Sequence, residues 1–414
     1  WAESLQYHNN KYYLAFNSNT TGHAYIYTTD DIENGSWTKT ELAKGYHDMA
    51  LFFDDDTPYI VYGSANIKYV ELSEDLSGEK EGGKSGTLFS QNRGADTGKF
   101  DGGLPFEGTH VMKKDGYYYL MIAEGGTEVY HAVTIARSEH VFGPYRGFDG
   151  NPILTHRHLG RRYPICNVGH ADLVDLSDGS WYMVMLASRL LGGSHKLLGR
   201  ETFLAQVSWE EGWPVVNPGK GIVEMQCESP AGLNEHPFEK GALPTETDTD
   251  FSEGRLGYEW NEIGTPGNEP FYRFQEDGIK LRLLKNRIVP WDIDGLGVNV
   301  FERIPVFAER NARGESGKVS FLGRRLQHVS WEASTVLSFA PGAGEHGGIV
   351  IIQNDANQLR IDVTAENGAG ESACEPGANG SAPESGANGS ACEPKESRTV
   401  VSCIQTKTIV RDGR

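Results

Sequence analysis

The fold is decided by a short stretch, DGYYYLM at Asp115–Met121, in which a turn is followed at once by a strand of aromatic and apolar residues. The same pattern occurs at Asn10–Phe16, Thr57–Gly63 and Asp178–Val184. A preceding strand is clearest at His47–Phe53, Glu107–Met112 and His170–Leu176. The aromatic residues of successive repeats are 47, 59 and 63 residues apart, which is too long for single hairpins and typical of four-stranded propeller blades. The first half of the chain is therefore predicted to be an all-β propeller.

The repeats can be superposed without gaps to find which side chains meet. The aligned aromatic residues are Tyr12, Tyr59, Tyr118 and Trp181. The residues eleven positions earlier are Trp1, Asp48, Glu107 and His170. Because the first strand of each blade lines the axis of a propeller, these four side chains are predicted to converge on one funnel.

Each polar member of this set also has an ordinary structural interpretation. An acidic residue at the start of a strand is most often a solvated strand end, and a histidine in an apolar stretch, such as His170, is most often a hydrogen-bonded core residue. Three polar groups at one repeat position favour a shared site, because inner-strand starts with a purely structural role should vary independently.

The overall composition limits the possible partners. The chain has 414 residues, more than one ordinary domain, with 57 acidic and 38 basic side chains and a formal charge of -19. This charge repels nucleic-acid phosphates and anionic lipid surfaces. The sequence also lacks an apolar run of about 18 residues, the minimum for a membrane-spanning helix. We therefore expect no nucleic-acid or membrane partner, and a neutral polar substrate.

Two carboxyl groups facing an axial pocket suit acid–base chemistry on a glycosidic bond. A second carboxylate and partial burial both raise the pKa of a carboxyl group and so keep a general acid protonated. Glu107 has the longer reach and is the better acid, with Asp48 as the neighbour that tunes it. Arg200 would orient a carboxylate or bind sugar hydroxyls; alternatively, it pairs with Glu201. Trp1 would supply an apolar platform for a sugar ring.

Six segments carry a family resemblance. They are WA at residues 1–2, HDMALF at 47–52, FEGTH at 106–110, IAEGGT at 122–127, NVGHAD at 167–172 and GRET at 199–202. In this order they resemble glycoside hydrolase family 43, which contains β-xylosidases and α-L-arabinofuranosidases. The resemblance covers residues 1 to about 230 and implies a five-bladed β-propeller that hydrolyses its substrate with inversion.

The same resemblance implies roles for individual residues. Glu107 would be the general acid, and Asp48 would modulate the pKa of that acid and orient the substrate. The other pocket residues would be Arg200, His170, Trp1, Ala2 and Thr127. In some family members the histidine equivalent to His170 lies near a central calcium or water cluster. We therefore expect no required cofactor and, at most, a structural calcium.

Two departures from the family pattern bear on activity. The catalytic base of the family is an Asp in a Pro-Asp-Pro type motif of the first blade, and this sequence begins after it. Four repeats are visible where five blades are expected, so we expect the first blade to be missing or incomplete. Inverting hydrolysis needs that base, so the chain as given is expected to have little activity. Glu3 also stands where the family usually has Pro.

The second half of the chain resembles the β-sandwich that follows the propeller in xylosidase-like members, a concanavalin-like jelly roll. The predicted domains are therefore a propeller at 1–235 and a sandwich at 236–414. Its predicted strands are Ile279–Leu284, Ser330–Phe339, Gly348–Gln353 and Gln358–Val363. A low-complexity insertion is predicted at 365–396, where the residues are mostly Ala, Glu, Asn, Gly and Ser.

The sequence thus predicts an exo-acting glycosidase that removes terminal xylose or arabinose from plant cell-wall oligosaccharides. The alternative is a non-catalytic glycan-binding propeller. The Glu107–Asp48 pair favours the enzyme, because a pure binding site gains nothing from two carboxylates in mutual repulsion. The expected partner is a xylo- or arabino-oligosaccharide, and the oligomeric state is left open. Sequons at Asn19, Asn34, Asn379 and Asn388 favour secretion, with a cytoplasmic location as the alternative.

Overall fold

The computed structural model describes residues 2–18, 21–90, 106–191, 196–228, 230, 249, 251–263, 270–276, 278–284, 319–354 and 357–365. All secondary-structure elements in these residues are β-strands, so no helix that could cross a membrane is found there. The chain divides into two compact units, Trp1–Ala242 and Leu243–Arg414. The domain boundary predicted between residues 235 and 236 lies outside the described residues, as does the predicted insertion beyond residue 365.

The first unit contains four antiparallel sheets, each made of strands that are consecutive in sequence. Blade 1 contains β1 (Ser4–His8), β2 (Lys11–Ser18), β3 (His23–Thr29) and β4 (Thr38–Glu41). Blade 2 contains β5 (Ala50–Asp54), β6 (Thr57–Tyr62), β7 (Asn66–Glu71) and β8 (Ser85–Ser90). Blade 3 contains β9 (Phe106–Lys114), β10 (Tyr117–Glu124), β11 (Ala132–Ser138) and β12 (Arg146–Gly147), with β13 (Leu154–Thr155) also paired to β11. Blade 4 contains β14 (Ile165–Asp175), β15 (Trp181–Arg189), β16 (Glu201–Glu210) and β17 (Trp213–Val216).

The predicted repeat is confirmed as the second strand of each blade. The four aromatic stretches form β2, β6, β10 and β15, and each pairs with the inner strand that precedes it. Their side chains alternate between two packed faces, because successive residues of a strand point to opposite sides of the sheet. On β10, for example, Leu120 packs between blades 2 and 3, whereas Met121 packs between blades 3 and 4.

Apolar side chains fill the spaces between neighbouring blades. Leu51 belongs to the cluster between blades 1 and 2, and its neighbour Phe52 belongs to the cluster between blades 2 and 3. Phe52 meets the ring of Tyr118 edge-on, with the ring centroids 6.3 Å apart. Full burial of one such side chain contributes about 1.5–3 kcal/mol, so the inner strands of adjacent blades are held at a fixed separation.

The hairpin register differs by one residue from the gapless superposition. In blades 1 to 3 a two-residue turn follows the inner strand, which ends at His8, Asp54 or Lys114. The sixth residues before these strand ends are Ala2, Asp48 and Gly108, so these three residues are equivalent. Glu107 therefore lies one residue before the position that is equivalent to Asp48. The prediction that Asp48 and Glu107 share one repeat position was wrong. In the second strand of its blade, Pro58 rather than Tyr59 is the residue equivalent to Tyr12 and Tyr118.

A left-handed residue lies just before the inner strand in blades 1 and 2, and within the inner strand in blades 3 and 4. The backbone φ angles are 31° at Ala2, 45° at Asp48, 58° at Gly108 and 46° at His170. In blade 4 the turn that follows is longer, and β14 has bulges on both sides of Gly169, so His170 is displaced relative to the other three. Each inner strand therefore bends where it reaches the same end of the propeller.

The second unit contains three antiparallel strand pairs among the described residues. Its strands are β18 (Trp260–Asn261), β19 (Tyr272–Gln275), β20 (Gly278–Leu281), β21 (Gly323–Arg324), β22 (His346–Asn354) and β23 (Asn357–Thr364). The predicted strands near 279–284, 348–353 and 358–363 overlap β20, β22 and β23. The prediction over 330–339 was wrong, since no strand forms there and Val336, which an alternating pattern would bury, is 85% exposed.

The close contact between blades 3 and 4 predicts a stability effect at Gly169. A Cβ at this position would lie 2.4–2.5 Å from ring atoms of His131, which is 2% exposed and is held by a 3.0 Å contact between its Nδ1 and the carbonyl oxygen of Asn167. We expect Gly169→Ala to lower the free energy of unfolding by about 1–3 kcal/mol, because the buried ring has little room to move. Gly78→Ala, whose Cβ would meet no atom within 4 Å, is the control. Equal urea midpoints for the two variants would contradict this packing.

Candidate active site

The two predicted carboxyl groups meet at one end of the propeller. Asp48 lies two residues before β5 and is 8% exposed, and Glu107 is the second residue of β9, with its side chain 25% exposed. His47 joins them, with its Nε2 3.2 Å from Oε2 of Glu107 and 3.9 Å from Oδ2 of Asp48. Donor atoms of all three side chains lie within 4.8 Å of one another. The structure therefore brings Asp48 and Glu107 together across two blades, as the sequence predicted.

The electrostatic environment of Asp48 favours its protonated form. Burial raises the pKa of this carboxyl group, and the negative charge of Glu107 raises it further. The positive charges of His47 and Arg200 act in the opposite direction without overcoming the burial. Asp48 is therefore the carboxyl group whose neutral form is favoured by its burial in the pocket.

His170 lies beside the acid on the neighbouring blade. Gly108, the residue after Glu107, approaches its ring so closely that a Cβ there would lie 2.6–2.9 Å from three ring atoms. The ring of His110 is 5.7 Å away, centroid to centroid. Burial, reinforced by the charges of His110, His131 and Arg200, lowers the pKa of His170 to about 3. Its imidazole is therefore neutral at ordinary pH and can exchange hydrogen bonds with a polar ligand.

A calcium ion near His170 stays a prediction. Calcium takes six to eight oxygen ligands. The carboxylate of Asp172, two residues after His170, lies 3.3 Å from Nδ1 of His110, whose ring centroid is 5.7 Å from that of His170. Among the described side chains, no group of three metal-ligating residues includes His170. We therefore derive no chemistry from a metal at this position.

Arg200 directly precedes β16, the third strand of blade 4, at the end of the propeller where β14 begins. The alternative pairing with Glu201 is not observed, because the guanidinium of Arg189 donates to both Glu201 oxygens at 2.8 and 2.7 Å. The charge of Arg200 instead acts on Asp48, and it lowers the pKa of the buried His131 and His170. Arg200 therefore lies within electrostatic range of the acid site.

The remaining predicted pocket residues are less closely defined by contacts. Ala2 occupies the position in blade 1 that Asp48 occupies in blade 2, and Thr127 is exposed on the loop after β10. The next residue, Glu128, contacts Nδ2 of Asn167 at 3.4 Å and the ammonium of Lys196, so this loop lies at the mouth of blade 4. Trp1 lies outside the described residues.

His47 is a member of the site that the sequence pattern did not predict. This residue stands next to Asp48 in the sequence, but its contact with Glu107 links residues 60 positions apart. A signal was available in the His47-Asp48 dipeptide itself, since a strand start that brings one side chain to a pocket commonly brings its neighbour as well. The hydrogen bond depends on the left-handed turn at Asp48, which no residue pattern indicated.

Comparison with known families decides the identity of the fold. Residues 1–214 match the family described as glycosyl hydrolases family 43. The chain belongs to this family. Residues 248–388 match the beta xylosidase C-terminal concanavalin A-like domain. The family 43 chain is thus all-β, with a propeller followed by a concanavalin-like β-sandwich.

Several family 43 relatives are similar over most of the chain. A xylosidase/arabinosidase of Butyrivibrio fibrisolvens is 36% identical, with 87% of this chain and 66% of the relative covered. A non-reducing end alpha-L-arabinofuranosidase of Bacteroides ovatus is 31% identical, with 89% and 63% covered. The structure of a xylan beta-1,4-xylosidase from Bacillus halodurans matches with a TM-score of 0.67 and 28% identity, covering 88% of this chain and 66% of that one. The chain therefore spans about two thirds of the length of these relatives.

The buried histidine predicts a dependence of stability on pH. An unfolded histidine titrates near about pH 6.5, whereas the pKa of His170 is lowered to about 3. Between these values the unfolded state binds a proton that the folded state rejects, so the contribution of His170 to stability is complete above about pH 6.5 and is lost as the pH falls. We expect the urea midpoint to decrease from pH 7 to pH 4.5, and to decrease less steeply in His170→Gln.

The control for this measurement is His158→Gln, which changes an exposed histidine on the loop after β13. This variant should keep the pH dependence of the wild-type chain. If His170→Gln also kept it, the buried imidazole would not be the source of the effect.

Proposed function

We propose that this chain supplies the acid half of an inverting glycosidase that removes terminal xylose or arabinose units from xylan-type oligosaccharides. The observation that carries the proposal is the carboxyl pair, a partly exposed Glu107 beside a buried Asp48 with donor atoms within 4.8 Å. Hydrolysis of a glycosidic bond needs a carboxylic acid that remains protonated until it meets the leaving oxygen. Burial raises the pKa of Asp48, so that this carboxyl group holds a proton beside the proposed acid.

The exposures of the two carboxyl groups distinguish their roles. The Glu107 side chain is 25% exposed and can reach a leaving oxygen, whereas the Asp48 side chain is 9% exposed and offers little surface to an anomeric carbon. In inverting enzymes the acid and the base are about 6.5–9.5 Å apart, so that a water molecule fits between them. The pair here is closer than that. We infer that Glu107 is the acid, that Asp48 keeps a proton on the pair, and that the base is a different residue.

The base belongs, in this proposal, to a fifth blade that packs against blade 1. Leu5 and Tyr7 project from the same face of β1 and are 48% and 61% exposed, although they form an alternating apolar pattern. Such a face is suited to another blade, and the family resemblance places an Asp in a Pro-Asp-Pro type motif there. Five blades and an acid–base pair across the axis follow together from this arrangement.

The other pocket residues would hold the sugar. Arg200 and the neutral His170 offer hydrogen bonds to hydroxyl groups, and Ala2, Thr127 and Trp1 would line the ring-binding site. Acid–base hydrolysis proceeds with water as the only co-reactant, so the proposal includes no cofactor. The names of the relatives include both xylosidase and arabinofuranosidase, which supports a substrate class with either terminal pentose. Secretion stays a prediction.

The acid assignment predicts the effect of Glu107→Gln. A glutamine of the same shape cannot donate a proton to the leaving oxygen, so kcat on aryl β-xylosides and aryl α-arabinofuranosides should fall by about 10²–10⁴-fold. The measurement uses the chain joined to a family 43 first blade that carries the base, with the chain alone alongside. Glu74→Gln, an exposed acid on blade 2, is the control and should retain the parent rate.

The same assay tests the alternative of a glycan-binding propeller. If the extended chain cleaves neither sugar but binds xylo-oligosaccharides in calorimetry, the hydrolase proposal is wrong and the binding function replaces it. If Glu107→Gln hydrolyses as fast as the control, Glu107 is not the acid.

A further inference from the structure

His47 occupies a distinctive position between the acid and the solvent. Its side chain is 48% exposed, compared with 25% for Glu107 and 9% for Asp48. Its Nε2 is directed at Oε2 of Glu107 at 3.2 Å, which is hydrogen-bond distance. The imidazole therefore contacts the proposed acid at one end and remains open to water along the rest of the ring.

The charged groups that face His47 come from two blades. Glu107 on blade 3 is the closer partner, and Asp48 on its own segment lies 3.9 Å away. Arg200 on blade 4 acts on Asp48 over a longer range. Both carboxyl groups thus lie within 4 Å of the same ring nitrogen, Nε2 of His47, which places a proton carrier in contact with the proposed acid.

An inverting glycosidase must restore the proton of its acid after every turnover. Glu107 gives its proton to the leaving oxygen, and a sugar in the pocket covers the acid from the side of the substrate. His47 provides a second route, because it contacts Glu107 from the solvent side. We propose that His47 relays protons from water to Glu107, a role that rests on the proposed function and that nothing in the family resemblance assigned.

The relay balances in two steps. First, the O–H bond of Glu107 breaks as the glycosidic C–O bond breaks, and the proton forms the O–H bond of the leaving alcohol. Next, the Nε2–H bond of the His47 imidazolium breaks and a new O–H bond forms on Glu107, which leaves a neutral ring that keeps its Nδ1–H; the vacant Nε2 then takes a proton from water when the half-exposed ring turns to solvent. The base releases one proton to solvent for each one that His47 takes up, so the net reaction consumes only water.

This arrangement has a consequence for the pH dependence of hydrolysis. A carboxyl group ordinarily loses its proton near pH 4 and an imidazole near about pH 6.5. An imidazole can therefore deliver protons at pH values where a carboxyl group alone has already lost its own, so a relay through the ring extends activity to higher pH. Without His47, the acid would lose its proton supply at lower pH.

The test compares the pH profiles of kcat for the wild-type chain, His47→Gln and His47→Phe, each joined to the same first blade. Glutamine preserves a hydrogen-bond donor to Glu107 but cannot carry a proton, whereas phenylalanine removes both functions. We expect the alkaline limb to move to lower pH by about one to two units in both variants, so that the loss of kcat is at least about tenfold greater at pH 7.5 than at pH 5.

Leaving-group dependence provides a second measurement. A dinitrophenyl glycoside departs without protonation, so the pH-dependent loss in His47→Gln should disappear with this substrate and remain with an alkyl glycoside. A loss of kcat that is uniform across pH, with the limb unmoved, would show that His47 only orients Glu107. That outcome would overturn the relay.

The pairing can also be measured without any turnover. In the chain alone, the NMR signals of the His47 ring should shift in Glu107→Gln relative to the wild type, because the carboxyl group 3.2 Å from Nε2 is replaced by an amide. The signals of the exposed His158 should coincide in the two chains. Unchanged His47 signals would overturn the pairing even if hydrolysis is observed, and shifted signals in an inactive enzyme would place the failure in the proposed function instead.

Discussion

The separation between Asp48 and Glu107 is set by the packing of blade 2 against blade 3, and the chemistry of the site depends on that packing. The two residues belong to different blades, which are joined beside Glu107 by a backbone hydrogen bond of 2.9 Å from the N–H of Ala65 in blade 2 to the carbonyl oxygen of Phe106 in blade 3. Side chains such as Phe52, Tyr118 and Phe106 fill the space between these sheets. Because an apolar interior is nearly incompressible, the distance between the carboxyl groups is fixed by the volume of the side chains beneath them.

The left-handed residue in or just before each inner strand adds a second constraint. At Asp48 and His170 the chain accepts a φ angle of about 45° on a residue with a Cβ, at a cost of order 1 kcal/mol. The bend moves these side chains out of the alternating pattern of the strand and towards the same end of the propeller. Gly108 removes the steric obstacle that would otherwise separate Glu107 from His170. Backbone strain and a missing side chain thus contribute to one pocket.

Much of the fold could be predicted because the blades repeat one simple pattern. Each second strand is aromatic and apolar, and in blades 2 and 3 both faces of this strand pack against neighbouring blades; this signal is visible in a single sequence. The carboxyl pair could be predicted because strand starts of a propeller share one end. The one-residue offset of Asp48 could not be predicted, because it depends on turn lengths that place Pro58 opposite Phe53. His47 was missed for a related reason, since its partner is 60 residues away.

The site residues lie on several blades, and this distribution affects which substitutions the protein can accept. Asp48, Glu107, His170 and Arg200 all lie outside the apolar clusters that hold the blades together. Selection can therefore alter the groups that contact a sugar one blade at a time, while the free energy stored between the sheets stays nearly the same. Substitutions among the pocket residues therefore need no compensating change in the apolar clusters between the blades.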